Sequence, residues 1–179
     1  MSNILVVCTA NQCRSPLAAA LLRRAVARRN LVHTVLSGGL LEGGEPSSDM
    51  LVETGRLHGI DLSEHRSRQL SPELLDGADL VLCMTRLHVR DVAVLRPAVW
   101  PRAFTLLEFL RRADELAEGS ERRALAELVP LAHEGRTTQS LLAADASEDV
   151  RDPMGRGREA FEELGLILEG ATDRLAAHL

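Results

Sequence analysis

The 179-residue chain contains no lysine and no tyrosine, and aromatic residues make up only 2% of it. All 21 basic residues are arginine, and 26 acidic residues leave a formal net charge of −5. This balance argues against nucleic acid as a partner, because a phosphate backbone demands a basic surface. No apolar run approaches the length of about 18 residues that is needed to span a bilayer, so we expect no membrane insertion. Apolar residues at 45% and charged residues at 26% are typical of a globular domain.

Cysteine is also scarce, with Cys8, Cys13 and Cys83 as the only three. Three cysteines cannot all pair within one chain, and a chain of this length can bury a core without disulfides. The N-terminal segment lacks the basic flank and the small-residue cleavage site of a signal peptide. These features predict a cytoplasmic protein in which at least one thiol is kept for chemistry.

Segments with strand and helix character alternate along the chain. Residues 4–7 form a continuous β-rich apolar run, which is typical of a strand buried on both faces. Further strands are predicted at 32–37, 78–84 and 103–106, and the main helices at 16–29, 49–57, 86–95, 107–133 (broken at Gly119-Ser120) and 157–179. The alternation predicts a single three-layer α/β domain over residues 1–179, with a four-stranded parallel twisted sheet and helices on both faces.

The first loop is the segment that carries chemistry, and it reads Cys8-Thr9-Ala10-Asn11-Gln12-Cys13-Arg14-Ser15. Five residues separate Cys8 from Arg14, so several backbone N–H groups can converge with the next helix N-terminus into an anion cradle. Arg14 can clamp two phosphate oxygens through its planar guanidinium. The same positive field favours the thiolate of Cys8, to which the Ser15 hydroxyl can donate. We also expect Ser15 to cap the helix, with Pro16 as its first residue.

This loop resembles the signature of the low-molecular-weight protein tyrosine phosphatases, in which a cysteine, five residues and Arg-Ser lie close to the N-terminus. Residues 59–70 and 81–91 are similar to further family blocks, and Asp152-Pro153 is similar to the family's Asp-Pro loop. The resemblance covers residues 3–100 and about 150–179. It implies a phosphomonoester hydrolase that acts on phosphotyrosine in proteins through a phosphocysteine intermediate.

The resemblance also implies roles for individual residues. Cys8 attacks phosphorus, Arg14 and the loop amides hold the phosphate oxygens, and Asp152 serves as general acid and then general base. Asp149 is the rival acid, but no proline follows it. The remaining phosphate-binding and supporting residues are Thr9, Ala10, Asn11 (which braces the loop), Gln12, Cys13, Ser15 and His65 (which bonds Asn11). We expect neither a metal nor another cofactor, because Arg14 and the amides supply the positive charge.

Two further residue groups leave alternatives open. Cys13 is either a small packing residue or a resolving thiol that captures the oxidised form of Cys8. The five other histidines show no metal-ligand spacing, and we interpret them as ordinary surface or loop residues: His33, His58, His88, His133 and His178.

The sequence departs from the family pattern at the rim of the site. Members that act on phosphotyrosine carry aromatic residues after Asp-Pro, whereas Met154-Gly155 follows here, and residues 40–42 offer Leu-Leu-Glu in place of another rim aromatic. Leu41 and Met154 are therefore the candidate walls. The segment 111–148 is longer than the family pattern requires, so we expect a helical or loop insertion there, with three roles left open: a lid over the cleft, a partner-docking surface or a passive insertion. Two alternatives stay open, a thiol-dependent arsenate reductase and a phosphoanion-binding regulator without turnover.

Overall fold

The structure, a computed structural model, describes residues 1–117, 123–142 and 145–179. Its centre is a four-stranded parallel sheet with the strand order β2-β1-β3-β4. The strands are β1 (Ser2–Cys8), β2 (His33–Gly39), β3 (Leu80–Cys83) and β4 (Ala103–Thr105). The predicted α/β fold with a parallel sheet is confirmed.

Helices cover both faces of this sheet. They are α1 (Arg14–Arg28), α2 (Asp49–Leu57), α3 (Pro72–Asp76), α4 (Arg86–Leu95), α5 (Leu106–Ala117), α6 (Leu125–His133), α7 (Thr138–Leu142) and α8 (Arg158–His178), with a 3-10 helix at Pro97–Arg102. None of the helices in the described residues is long and apolar enough to cross a bilayer.

Strand β1 supplies side chains to both layers of the core, because successive residues of a strand point to opposite faces. Ile4 and Val6 join the cluster formed with α1, α5 and α8, whereas Leu5 and Val7 join the cluster formed with α3 and α4. All four are at most 2% exposed. Full burial on both faces explains why this segment is a continuous apolar run and not an alternating one.

The start of α1 differs from the prediction. The helix begins at Arg14, Cys13 occupies the N-cap position, and no side chain caps the end. The expectation that Ser15 is the cap was therefore wrong. The Ser15 hydroxyl is engaged elsewhere, by the Asn11 amide and the Cys8 sulfur, so the N-terminal N–H groups of α1 are left without a side-chain acceptor.

Where it is described, the segment from 111 to 148 contains the end of α5, the helices α6 and α7, and turns and loops between and after them. The predicted helix break at Gly119-Ser120 lies outside the described residues. That this segment is an insertion into a single domain stays a prediction.

Candidate active site

The loop between β1 and α1 curls around a point at the carboxyl end of the sheet. Asn11 adopts a left-handed backbone conformation with φ 53°, which lets the loop turn back on itself. Its Nδ2 donates to Ser15 Oγ at 2.9 Å, and its Oδ1 accepts the Arg68 backbone N–H at 2.8 Å. His65 Nε2 lies 2.7 Å from the Asn11 carbonyl oxygen. Asn11 therefore braces the loop from within, and the 65–68 segment supports it from outside.

The last residue of β2 leaves room for this loop only because it is glycine. A Cβ on Gly39 would lie 2.7 Å from the Asn11 nitrogen and 2.8 Å from the Ala10 carbonyl carbon. The next two residues, Leu40 and Leu41, donate their N–H groups to the Thr9 carbonyl at 2.7 and 3.1 Å. The end of β2 thus forms one wall of the loop.

The Cys8 thiol sits at the bottom of the loop and is almost fully buried. Its Sγ lies 3.0 Å from Ser15 Oγ. Because Asn11 Nδ2 donates to the same hydroxyl oxygen, the hydroxyl hydrogen of Ser15 has two acceptors to choose from, the sulfur at 3.0 Å and the Gly38 carbonyl at 3.4 Å, and the sulfur is the nearer. A donor in this place stabilises a thiolate, whether before attack or as a leaving group.

The Arg14 guanidinium extends from the first turn of α1 over the same centre. Its Nη2 contacts Asp152 Oδ2 at 2.6 Å and Thr9 Oγ1 at 3.4 Å, and its Nη1 donates to the Val150 carbonyl at 3.3 Å. The Arg14 side chain is 6% exposed, and that of Asp152 is 47% exposed. Within the described residues the buried Nε of Arg14 has no hydrogen-bond partner. The guanidinium therefore keeps an unused donor for an anion.

Two hydrogen bonds, one just beyond β3 and one at the start of α4, bring the segment before Asp152 to the site. The Val150 N–H donates to the Met84 carbonyl at 2.7 Å, and the Arg86 N–H donates to Asp149 Oδ1 at 2.7 Å. Asp149, the rival acid, thus binds the first turn of α4, while Asp152 contacts Arg14. Asp152 Oδ1 accepts the Met154 N–H at 3.1 Å, which fixes the carboxylate against its own loop.

His88 is a site residue that the sequence analysis placed wrongly among ordinary surface or loop histidines. It is 4% exposed, with Nε2 2.9 Å from Thr9 Oγ1 and Nδ1 3.0 Å from Thr85 Oγ1. Burial, and then the charge of Arg14, lower its pKa from 6.5 to about 4. No signal in the sequence alone indicates this placement, which follows from the strand order. A helix that directly follows β3 starts beside the end of β1, so its first turn must lie next to the loop.

The two other cysteines are buried and free. Burial is the largest cause that raises the pKa of Cys13 to about 12, and burial also raises the pKa of Cys83. Both therefore favour the neutral thiol. No cluster of three or more His, Cys, Asp or Glu side chains suited to a metal ion occurs in residues 1–117, 123–142 and 145–179.

The remaining predicted residues lie around the opening. Ala10 and Gln12 are partly exposed parts of the loop. Leu41 is 55% exposed and Met154 is 50% exposed, and each is tied by its backbone N–H, to Thr9 and to Asp152 respectively. The rim therefore offers two exposed apolar side chains next to the phosphate-binding residues.

Comparison with known proteins points to one family. The family model described as low molecular weight phosphotyrosine protein phosphatase matches residues 3–120. The probable low molecular weight protein-tyrosine-phosphatase EpsP of Ralstonia solanacearum is 40% identical over 108 residues, which are 60% of this chain and 72% of EpsP. The low molecular weight protein-tyrosine-phosphatase Etp of Escherichia coli K12 is 30% identical over 178 residues, which are 99% of this chain and 95% of Etp.

Solved structures agree on the fold. The YwlE arginine phosphatase from Geobacillus stearothermophilus superimposes with a TM-score of 0.72 at 30% sequence identity, covering 99% of this chain and 92% of that one. These relatives favour phosphatase function over the arsenate reductase alternative.

Proposed function

Since this chain belongs to the low-molecular-weight phosphotyrosine protein phosphatase family, we propose that it hydrolyses phosphotyrosine in proteins, without a metal, through a phosphocysteine at Cys8. The observation that carries the proposal is the convergence of three groups. The Cys8 sulfur lies 3.0 Å from Ser15 Oγ within the loop that also carries Arg14. Arg14 Nη2 lies 2.6 Å from Asp152 Oδ2, and Arg14 keeps an unused Nε. A nucleophile, a phosphate clamp and a proton donor are the groups that phosphomonoester cleavage needs.

The first half of the reaction transfers the phosphoryl group to sulfur. The Cys8 thiolate attacks phosphorus, the bond to the ester oxygen breaks, and protonated Asp152 gives its proton to that oxygen. The phosphoryl oxygens replace Asp152 as the acceptor of the hydrogen bond from Arg14 Nη2. They also accept hydrogen bonds from Arg14 Nε and from the loop amides. These donors stabilise the charge on the equatorial oxygens in the transition state.

The second half releases phosphate. The Asp152 carboxylate now removes a proton from a water molecule, whose oxygen attacks phosphorus. The sulfur–phosphorus bond breaks, and the electron pair returns to Cys8. The Ser15 hydroxyl, 3.0 Å from the sulfur, stabilises the departing thiolate by donating its hydrogen.

The rim sets the substrate class within this proposal. Leu41 and Met154 take the place of aromatic walls and pack against the tyrosine ring by apolar contact. The aromatic residues of the described chain lie elsewhere. Phe104, Phe109 and Phe161 are buried in the core, and Trp100 packs on Arg136.

Two further properties belong to the proposal. The three free thiols suit a reducing compartment, and we place the protein in the cytoplasm. Cys13, in the same loop as Cys8, is the resolving thiol, and its raised pKa makes its attack slow, because only the thiolate is a good nucleophile. When peroxide converts Cys8 to a sulfenic acid, the Cys13 sulfur attacks it, water leaves, and a disulfide forms that a thiol can reduce.

Hydrolysis of p-nitrophenyl phosphate at mildly acid pH in the presence of EDTA tests the core of the proposal. We expect turnover by the parent, none by Cys8→Ser, and a loss by Asp152→Asn on the order of 10²–10⁴-fold. Asp149→Asn is the matched control and should lose less, because its carboxylate caps α4 and transfers no proton.

Other outcomes would refute parts of the proposal. An inactive parent leaves a phosphoanion-binding protein, and equal rates for the parent and Asp152→Asn place the acid elsewhere. Phosphotyrosyl and phosphoarginyl peptides of the same sequence test the substrate class, with faster release of phosphate from the phosphotyrosyl peptide expected.

A further inference from the structure

We propose that His88 is a positioning residue of the phosphatase reaction, which acts by fixing the Thr9 hydroxyl beneath the Arg14 guanidinium. The inference rests on the proposed function of the same site. It concerns a residue of α4, a helix that supplies none of the nucleophile, the clamp or the proton donor.

Both ring nitrogens of His88 are committed to hydroxyl groups. Nδ1 lies 3.0 Å from Thr85 Oγ1, and Nε2 lies 2.9 Å from Thr9 Oγ1. Thr85 is the N-cap of α4 and also accepts the His88 backbone N–H. The ring is therefore held at its own helix terminus, and from there it reaches the residue that follows the nucleophile.

The direction of the hydrogen bonds orients Thr9 toward Arg14. A guanidinium can only donate, so Thr9 Oγ1 must accept from Arg14 Nη2, which lies 3.4 Å away. When His88 Nε2 carries no proton, the Thr9 hydroxyl donates its hydrogen to that nitrogen. When Nε2 is protonated, it donates to Thr9 Oγ1, which then accepts two hydrogen bonds, so the Thr9 hydrogen points away from Arg14. In both tautomers a lone pair of Thr9 faces Nη2. The lowered pKa of His88 keeps the ring neutral at the pH of the assay, which spares Arg14 a second positive charge nearby.

This support matters most when Asp152 leaves Arg14. In the free protein, Nη2 has two side-chain partners, Asp152 and Thr9. During proton transfer Asp152 turns to the ester oxygen, and Thr9 becomes the remaining side chain that holds Nη2 in place. A guanidinium that is less well fixed stabilises the transition state less, because its donors must be aligned with the charged phosphoryl oxygens there. The loss should therefore appear in kcat more than in KM.

A set of variants at two positions tests this inference on p-nitrophenyl phosphate. His88→Phe keeps the ring volume and removes both nitrogens, and we expect kcat to fall on the order of tenfold, the effect of one or two hydrogen bonds, with little change in KM. His88→Gln, whose amide reaches the place of Nε2, should restore most of the rate. His88→Asn, which reaches only the place of Nδ1, should not.

A double-variant comparison identifies Thr9 as the intermediary. Thr9→Val should lower kcat as much as His88→Phe, and the combined variant should lose no more than either alone, because both remove one shared interaction. Val92→Ala is the matched control. It removes buried volume from the same helix without touching Thr9, so it should lower thermal stability and leave kcat unchanged.

Three results would overturn the inference while an active parent keeps the proposed function intact. They are an unchanged kcat in His88→Phe, losses that multiply in the combined variant, and a fall of kcat in Val92→Ala equal to that in His88→Phe. An inactive parent, or an active Cys8→Ser, would instead refute the function on which the inference rests.

Discussion

Arg136 is a buried charge in the segment between α6 and α7, and its loss should destabilise the whole protein. Its side chain is 1% exposed, with the guanidinium carbon 3.9 Å from the centre of the Trp100 ring and 4.0 Å from that of Phe104. Its Nε lies 2.9 Å from Glu108 Oε1, and its Nη2 donates to the Ala103 carbonyl at 2.7 Å. One residue thus joins the segment to β4, the 3-10 helix and α5.

Arg136→Met should lower the free energy of unfolding by about 3–5 kcal/mol, the cost of leaving one member of a buried ion pair behind. Among the described residues, Glu108, whose side chain is 5% exposed, would keep only Arg112, at 3.5 Å, as a charged partner. Burial lowers the pKa of Arg136 to about 10, so the lost group is charged at neutral pH. Since a small domain is stable by about 5–15 kcal/mol, this is a large fraction of its stability.

Urea unfolding, followed by the fluorescence of the single tryptophan, measures the effect, because Trp100 contacts Arg136 directly. With a slope of about 2 kcal/mol per molar urea, the midpoint should fall by about 2 M. The variant Arg136→Met/Glu108→Gln is the control, and it should recover part of the loss because it also removes the buried Glu108 charge, which the more distant Arg112 compensates less well. A loss below about 1 kcal/mol, or no recovery in the double variant, would contradict the reasoning.

Three further predictions concern the site. Gly39→Ala should lower kcat by about 10²-fold or more, because the new Cβ would displace the Asn11 nitrogen; steady-state kinetics beside a melting curve would test this, and a normal rate would contradict it. The pKa of His88 is lowered to about 4, so its contribution to stability is present above pH 6.5 and is lost as the pH falls toward 4. At about 1.4 kcal/mol per pH unit this amounts to about 3 kcal/mol, and His88→Phe should lack that part of the pH dependence in urea unfolding. After peroxide, dithiothreitol should restore the parent but not Cys13→Ser; equal recovery would exclude Cys13 as the resolving thiol.

Local sequence patterns predict much of this fold. The apolar run that becomes β1 is buried on both faces. Ser71 caps α3, as expected for a short polar residue that directly precedes a proline at the start of a helix. Helix α4 spans the predicted residues 86–95. These features depend on neighbours in sequence, which is why they can be predicted from it. The start of α1 could not be, because the Ser15 hydroxyl is drawn to Cys8 and Asn11, groups whose position depends on the folded loop.

The candidate site divides in the same way. Cys8 and Arg14 are predictable because one loop carries both at a fixed spacing, whereas His88 is not, because it reaches Thr9 across 79 positions of sequence. The Arg68 backbone N–H that binds Asn11 leaves no trace in sequence either, since any residue except proline could supply it. Long-range contacts made by backbone or by single polar side chains need the topology first.

The order of the strands accounts for where these distant groups meet. In a parallel sheet every carboxyl end lies at the same edge, and a loop at that edge is the usual place for a ligand. Because β1 lies between β2 and β3, the end of β2 gives Gly39 to one side of the loop that follows Cys8. The end of β3 gives the first turn of α4 to the other side.

The same edge explains how the proton donor reaches the site from far along the chain. Asp152 follows Val150, whose N–H binds the Met84 carbonyl just beyond β3 and whose carbonyl accepts from Arg14. The family match at residues 3–120 ends before this segment. The matched region contains the Cys8–Arg14 loop, but the site lacks its proton donor without Asp152. In the full chain, Asp152→Asn would keep the nucleophile and the phosphate clamp but lose the acid. This variant should therefore form a phosphocysteine only from esters whose leaving group needs no proton. Comparing the release of p-nitrophenol from p-nitrophenyl phosphate with the release of phenol from phenyl phosphate would measure this.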